Sequence, residues 1–461
     1  MENINRKVKE AMRLAPYPHQ YEGIRFIEQN EGRCFLFWDM GLGKTMAALG
    51  WSSIHPEKMP VLIVCPASIK INWQKEAKKF IGADAIILSG RKPKPLNYKG
   101  IYIINYDIVT YWLPEIQKAK FQIMICDEMH YAKNQKSKRT KAIKQLSRSI
   151  PHIIGLTGTP VTNKPIDLFA PMGIIKPRLF PSWWSYAQKY CGMKRTPWGI
   201  DVSGATNLTE LHDKIAPYCI RRKKSEVLKD LPERQVIVRP VELTNRKTYN
   251  KAEKDFLEWL QNVKPEKLSA ALRAEGLVKL NELRNLVVAG KMKAIEEFID
   301  DFLETSDSKL IIMMCHKKPL HDLYNKYKKQ SVLIDGSVSM KKRDAAVEKF
   351  QNDSKTRVFF GNIIAAGTGL TLTAADTLVF GELSYVPAEH AQAADRNYRI
   401  GQEAAHVSCY YMIADNTLEE KVCEALHKKM KVIDQILDGE ITDSEGWDFK
   451  KELFMKIKNK K

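Results

Sequence analysis

A chain of 461 residues is long enough for two or three domains, and its 44% apolar and 28% charged residues read as those of a globular protein. Lys plus Arg outnumber Asp plus Glu by 74 to 54, a net charge of +20, which suits a polyanionic partner without separating DNA from RNA or an anionic membrane surface. No apolar run reaches the roughly eighteen residues of a spanning helix, the start "MENINRKVKE" lacks a signal peptide's apolar segment, and the cysteines form no C-x-x-C pair; an intracellular protein without zinc site or disulfide framework is expected.

In chain order, "GRCFLFW" (32–38) reads as a buried strand and "KTMAALGWSSI" (44–54) as a helix, with "DMGLG" at the junction. Glycines at a strand-to-helix junction let backbone N–H groups approach an anion, so Gly41, Leu42 and Gly43 could cradle phosphates. Lys44 would then reach the β- and γ-phosphates of ATP, and Thr45 would ligate Mg²⁺. Trp38 stands where the strict pattern G-x-x-x-x-G-K-[ST] has its first glycine, so the loop alone leaves a plain turn open.

"VLIVC" (61–65), "IYIINY" (101–106), "FQIMIC" (121–126) and "HIIGLT" (152–157) are unbroken apolar runs, as expected of parallel strands covered on both faces. A second set follows: "KLIIMMC" (309–315), "SVLI" (331–334), "TRVFFGN" (356–362), "DTLVFGE" (376–382) and "VSCYYMI" (407–413). Two α/β sheets are the simplest reading. Between the sets, residues 165–305 carry weaker strand signals and are expected to hold the linker and helical protrusions. Residues 416–437 read as one amphipathic helix, and the chain ends in the basic tail "KIKNKK".

"MICDEMH" (124–130) decides between turn and phosphate loop, because it sets Asp127 and Glu128 at the C-terminal edge of a strand, where open α/β sheets place ligands. Asp127 would hold Mg²⁺ through water and Glu128 would orient and deprotonate the attacking water. "LTGTP" (156–160) offers Thr157, Gly158 and Thr159 as sensors of the γ-phosphate. In the second half, "QAADRNYRIGQ" (392–402) sets Arg396 and Arg399 three residues apart, where an arginine could stabilise charge on the departing phosphoryl group. That role requires a cleft between two lobes.

With these motifs in hand, residues 14–437 resemble the core of the SNF2 family of superfamily-2 helicase-type motors. "PHQYEGIRF" (18–26) resembles the segment whose glutamine, here Gln20, reads adenine, and "DMGLGKT" is similar to motif I. "VCPASIKINWQKE" (64–76), "DEMH" and "LTGTP" are similar to motifs Ia, II and III. "RRKKSEVLKDLPER" (221–234) resembles the basic stretch leading out of lobe 1, and "AAGTGLTLTAAD" (365–376) and "QAADRNYRIGQ" resemble motifs V and VI. Thr371, where many chromatin remodellers carry asparagine, leans towards the annealing-helicase-like subgroup, as does "DEMHYAKNQKSKRTKA". Two residues depart from the pattern: Trp38 replaces the usual acidic residue, and His19 the aromatic ring before Gln20.

The resemblance implies two RecA-like parallel-sheet lobes in tandem: lobe 1 at 1–225, a helical protrusion and linker at 226–305, and lobe 2 at 306–461. It implies a DNA-dependent ATPase using ATP and Mg²⁺, with Gly367 and Gln392 among the coupling residues. It also implies double-stranded or forked DNA gripped through the backbone, with Ser68, Lys70 and Thr371 as phosphate contacts by motif position. Annealing or fork remodelling fits such a motor. Alternatives are a motor subunit of a larger complex such as a nuclease, a strand-separating DNA or RNA helicase, and a binding protein descended from a motor. No bromodomain-, chromodomain- or zinc-finger-like extension is read, which suits a prokaryotic or phage protein of the cytoplasm. Asp335-Gly336 precedes the helix-like "SVSMKKRDAAVEKF", so no wedge hairpin is read near motif V and translocation without unwinding is expected.

Overall fold

The computed structural model describes residues 2–196, 199–228, 231–262, 270–367, 369–399 and 401–439; the basic tail lies outside them. The chain divides into two compact units: among the described residues the first comprises 2–228 and 431–439, and the second 231–430.

The first unit is built on β1 (Arg33–Trp38), β2 (Val61–Cys65), β3 (Ala85–Ile87), β4 (Ile101–Asn105), β5 (Ile123–Asp127) and β6 (His152–Leu156). Next come β7 (Lys194–Thr196), β8 (Gly199–Asp201) and β9 (Cys219–Arg222). Seven of these make one sheet in the order β3-β4-β2-β5-β6-β1-β9, parallel throughout. Strand periodicity divides each run between two cores: Phe35, Phe37, Leu62 and Val64 face one, while Cys34, Leu36, Trp38, Val61 and Ile63 face the other. Truncating Phe35, Leu36, Phe37, Leu62 or Ile63 to alanine removes a filled volume on one face, at a cost of about 2–5 kcal/mol.

The second unit repeats the plan with β10 (Glu233–Val241), β11 (Lys309–Met314), β12 (Ser331–Ile334), β13 (Val358–Asn362), β14 (Ala375–Phe380) and β15 (His406–Ala414). Their order is β10-β15-β14-β11-β13-β12, again all parallel. Ile311 and Met313 pack on one face, and Leu310, Ile312 and Met314 on the other.

Three features differ from the sequence reading. The stretch 226–305, expected as helical, also contains β10, which pairs with β15 from Glu233↔His406 to Val241↔Ala414. The long helices Arg246–Asn262 and Ala270–Thr305 follow it. The helix Leu418–Asp438, read as part of the second lobe, ends by packing Ile436 and Leu437 into a core of the first unit. Finally, β7 and β8 form an antiparallel hairpin apart from both sheets, with no Asn-Gly or Asp-Gly turn to announce it.

Candidate active site

The phosphate-loop candidate leaves β1 and enters the helix Lys44–Ser53. Gly41 (φ 87°) and Gly43 (φ 76°) are both left-handed, a region where side-chain-bearing residues are strained. At Gly43 there is also no room, because a Cβ would lie 2.1 Å from Gln20 Nε2. Lys44 Nζ donates to Trp38 O (2.8 Å) and Asp39 O (3.2 Å), so the ammonium is held over the loop that delivers it. Thr45 occupies the first turn of the same helix.

Gln20 and His19 close on this loop from the helix Pro18–Gln29. Gln20 Nε2 donates to Leu42 O (3.2 Å), Gln20 Oε1 accepts from Tyr17 N (2.8 Å), and His19 Nε2 lies 2.8 Å from Leu42 O. Expected only as an adenine reader, Gln20 thus also clamps the loop.

Asp127 ends β5 and Glu128 follows with φ 48° and ψ 54°, a strained conformation for a residue with a side chain. Both are buried. Asp127 Oδ2 accepts from Trp73 Nε1 (2.7 Å) and Asp127 O from Tyr106 Oη (2.8 Å). Burial, then the neighbouring Glu128 charge, push the Asp127 carboxyl upward, against the Trp73 hydrogen bond and the nearby Lys44 cation. Two adjacent buried carboxylates at the C-terminal end of β5 form a donor set whose repulsion a divalent cation would relieve, and Thr45 offers a hydroxyl in the first turn of the helix that follows the phosphate loop.

Glu128 Oε2 accepts from Thr157 Oγ1 (3.4 Å), and His130 Nδ1 stands 3.3 Å from Glu128 Oε2 and 3.2 Å from Thr157 Oγ1. Thr159 N donates back to Thr157 Oγ1 (3.1 Å). A Cβ on Gly158 would lie 3.2 Å from Trp38 O, so this loop abuts the phosphate loop. Gln20, Lys44, Asp127, Glu128 and Thr157 are therefore gathered on one sheet rim.

The sequence reading missed the ionic prop behind the loop. Asp39 Oδ1 accepts from Arg221 Nη1 (2.9 Å) and Asp39 Oδ2 from Lys224 N (3.0 Å). Asp438 backs the same group, 3.7 Å from Arg221 Nε and 2.9 Å from Lys223 Nζ. The "RRKK" cluster was visible, but its partner lies far off in sequence. Trp73 was likewise legible only as part of a motif.

Among the proposed phosphate contacts, Lys70 sits otherwise than expected: it is buried, and its Nζ donates to Leu88 O and Asn105 Oδ1 (both 3.1 Å). Those acceptors turn the ammonium into the fold. Ser68 lies in the half-buried turn Ala67–Ile69.

In the second unit, Arg396 is 1% exposed and donates to Gln392 O (2.7 Å) and Leu370 O (3.2 Å). Arg399 is half-buried and donates to Asp395 O (3.0 Å) and to the exposed Thr371 Oγ1 (3.2 Å). Gly367 caps the short helix Ile363–Ala366, and a Cβ there would fall 2.5 Å from Ile363 O. The two arginines share a segment but not an environment.

Among the described residues, no helix is long and apolar enough to cross a membrane. Residues 19–292 match the SNF2-related domain and residues 290–401 the helicase conserved C-terminal domain. Among curated relatives, a Xenopus tropicalis SWI/SNF-related matrix-associated actin-dependent regulator of chromatin subfamily A-like protein 1 is 32% identical, aligned over 93% of this chain and 45% of its own. The Homo sapiens DNA annealing helicase and endonuclease ZRANB3 is 31% identical over 97% of this chain and 43% of its own. The chain thus spans less than half the length of these relatives. A solved Sulfolobus solfataricus SWI2/SNF2 ATPase core in complex with dsDNA covers 94% of this chain and 95% of its own, at 25% identity and a TM-score of 0.45. With the domain match covering more than half of its length, the chain belongs to the SNF2-related family of helicase-like ATPases.

Proposed function

We propose that the chain is an ATP-driven translocase on double-stranded DNA, of the annealing or fork-remodelling kind. The observation that carries this reading is the single rim on which Lys44, Asp127, Glu128 and Thr157 converge. Family membership, the +20 charge and the name of the human relative support it.

Gly41, Leu42 and Gly43 bind the phosphates through backbone N–H groups, and Lys44 exchanges its carbonyl partners for the β- and γ-oxygens. Thr45 and Asp127 would hold Mg²⁺, which would supply neutralisation of phosphate charge. Glu128 orients the attacking water and takes its proton, and Thr157 relays the state of that carboxylate to the loop carrying Thr159. Arg396 and Arg399 belong to the reading as transition-state and coupling groups supplied by the second unit, and Gly367 and Gln392 as coupling residues. The DNA contacts are phosphate contacts, for which Ser68 and Thr371 are the remaining candidates.

Measuring ATP hydrolysis by the purified chain with duplex, forked and single-stranded DNA and with RNA tests the reading. Duplex or forked DNA stimulates most, and stimulation collapses as salt rises from about 50 to 200 mM because counterions are released on binding. No response to duplex, or a response to RNA alone, overturns it.

A further inference from the structure

We infer that Trp73, through its hydrogen bond to Asp127, is a positioning residue that sets the affinity of this site for its divalent cation, an inference that rests on the ATPase reading above. The helix that carries it, Lys70–Ile81, follows β2 through the turn Ala67–Ile69. Its buried residues Lys70, Trp73 and Ala77 make an inward stripe at helical spacing. Two of the three carry a polar group, and each spends it on the sheet.

The sheet order β3-β4-β2-β5 puts the strand that leads into this helix between the strands its side chains reach. Lys70 Nζ donates to Leu88 O, just beyond β3, and to Asn105 Oδ1 at the end of β4 (both 3.1 Å). Gln74 Nε2 donates to Ala85 O at the start of β3 (2.7 Å). On the other side of β2, Trp73 Nε1 donates to Asp127 Oδ2 at the end of β5 (2.7 Å). The first turns of the helix are thus tied down on both sides of the strand that delivers it, which fixes where the indole N–H points.

Asp127 is held in two separate ways. Tyr106 Oη fixes its main chain by donating to Asp127 O (2.8 Å), whereas its carboxylate receives one donor on each oxygen, Glu128 N on Oδ1 (2.9 Å) and Trp73 Nε1 on Oδ2. The first of these comes from the next residue and follows the carboxylate wherever the chain goes; the second comes from another element and sets the plane of the carboxylate against the sheet. An indole N–H can only donate, so it steadies an oxygen while leaving that oxygen's other lone pair for a cation or its water. Trp73 is 1% exposed, so water has no ready access to replace the donor if it is removed. Partner groups that orient a ligating side chain in this way typically account for about 10–100-fold in metal affinity.

Packing alone does not explain the bond. Trp73 belongs to the core that also contains Trp38, and there the Trp38 Nε1 is buried with no hydrogen-bond partner among the described residues. That core therefore does not require every indole N–H to be paired, yet the Trp73 bond, at 2.7 Å, is at the short end of the N–H···O range.

The test titrates Mg²⁺ against the full chain in the presence of a fluorescent ATP analogue, reading nucleotide binding, and repeats the titration on ATP hydrolysis. Trp73→Phe keeps a ring in the core and removes the donor; Trp73→Met removes the donor with a different filler. Both variants raise the half-saturating Mg²⁺ about tenfold in each readout, while nucleotide affinity without Mg²⁺ stays within about twofold of wild type and kcat at saturating Mg²⁺ within about threefold. Tyr106→Phe, which removes the donor to the Asp127 main chain, controls for general loosening of the strand end and shifts half-saturation by less than about twofold. An unshifted half-saturation in Trp73→Phe, or an equal shift in Tyr106→Phe, overturns the inference and leaves the ATPase reading standing. Nucleotide binding and hydrolysis that ignore Mg²⁺ in wild type are the separate failure of that reading.

Discussion

The strand-end rims of the two sheets hold opposite charges by opposite means. In the first unit, the carboxylates Asp127 and Glu128 are buried together, and hydroxyl, indole and imidazole groups hold them in place. In the second, the guanidiniums Arg396 and Arg399 donate to backbone carbonyls one helical turn back. A carboxylate pair kept in close quarters is primed for a cation, whereas an arginine tied to its own backbone keeps a fixed direction whatever arrives. The pairs differ internally too: both acids are buried, but only Arg396 among the arginines is.

The largest effect expected is on the acidic rim. Lys44→Ala lowers kcat by at least about 10³-fold, because the phosphates lose their point charge, while DNA binding without nucleotide survives. Glu128→Gln sharpens the point by binding ATP without cleaving it, which nucleotide-binding and single-turnover assays separate. Unchanged turnover in Lys44→Ala would return the loop to a plain turn.

The basic rim is tested by unequal arginines. Arg399→Ala lowers kcat by about 10³-fold with little change in unfolding midpoint, since its charge acts in the transition state. Arg396→Ala instead destabilises the second unit by about 3 kcal/mol, because buried carbonyls lose their donor. Equal kinetics and equal midpoints in the two variants would erase the distinction.

Next comes a pH effect confined to the second unit. His390 is fully buried, 4.8 Å from the ring of Phe380, with Nε2 accepting from Ser384 N (3.0 Å), and burial lowers its pKa to about 4. Above the unfolded value of about 6.5 the imidazole is neutral in both states and its contribution is complete. As pH falls towards 4 the unfolded chain takes up the proton first, so about 2 kcal/mol is lost between pH 7 and 5. Urea unfolding across that range should show the loss, reduced in His390→Gln; an identical slope in the variant assigns the loss elsewhere.

The smallest effect concerns the prop behind the phosphate loop. Arg221→Ala raises the KM for ATP about tenfold, roughly the loss of one charge-assisted hydrogen bond, with kcat little changed. Arg221→Lys restores part of it, and Asp438→Asn gives a weaker version. A fall in kcat at constant KM would show that Arg221 acts beyond loop placement.

What could be read in advance follows burial. The runs "VLIVC", "KLIIMMC" and "TRVFFGN" became interior strands because both their faces are covered, leaving no polar alternation to confuse them. β3, β9 and β10 went unread because they are edge strands with mostly exposed or half-buried residues, whereas the edge strand β12, "SVLI", was read because it is buried at three of four positions. "CIRR" is half-buried throughout and "ERQVIVRPV" alternates, with Pro240 tolerated at an edge. At the site, the charged residues were legible because their chemistry is local. Their supports were not: Trp73 reaches Asp127 across 54 positions and Arg221 reaches Asp39 across 182. The expectation of no unwinding rested on reading no wedge hairpin near motif V, and the β7–β8 hairpin, which belongs to the first unit, does not bear on it.

The helix Leu418–Asp438 bears on how such a chain could be recombined. It begins in the second unit, while Ile436 and Leu437 complete a core of the first, and Ile436 O lies 3.0 Å from His212 Nδ1. The units are therefore not cassettes with a seam at residue 229. A fragment ending near residue 225 would lack those two side chains, so its inactivity would report an unfilled core as much as a missing arginine. A chimaera that exchanged the second unit wholesale would carry away a piece of the first, so a clean exchange must cut a second time within this helix, near Met430.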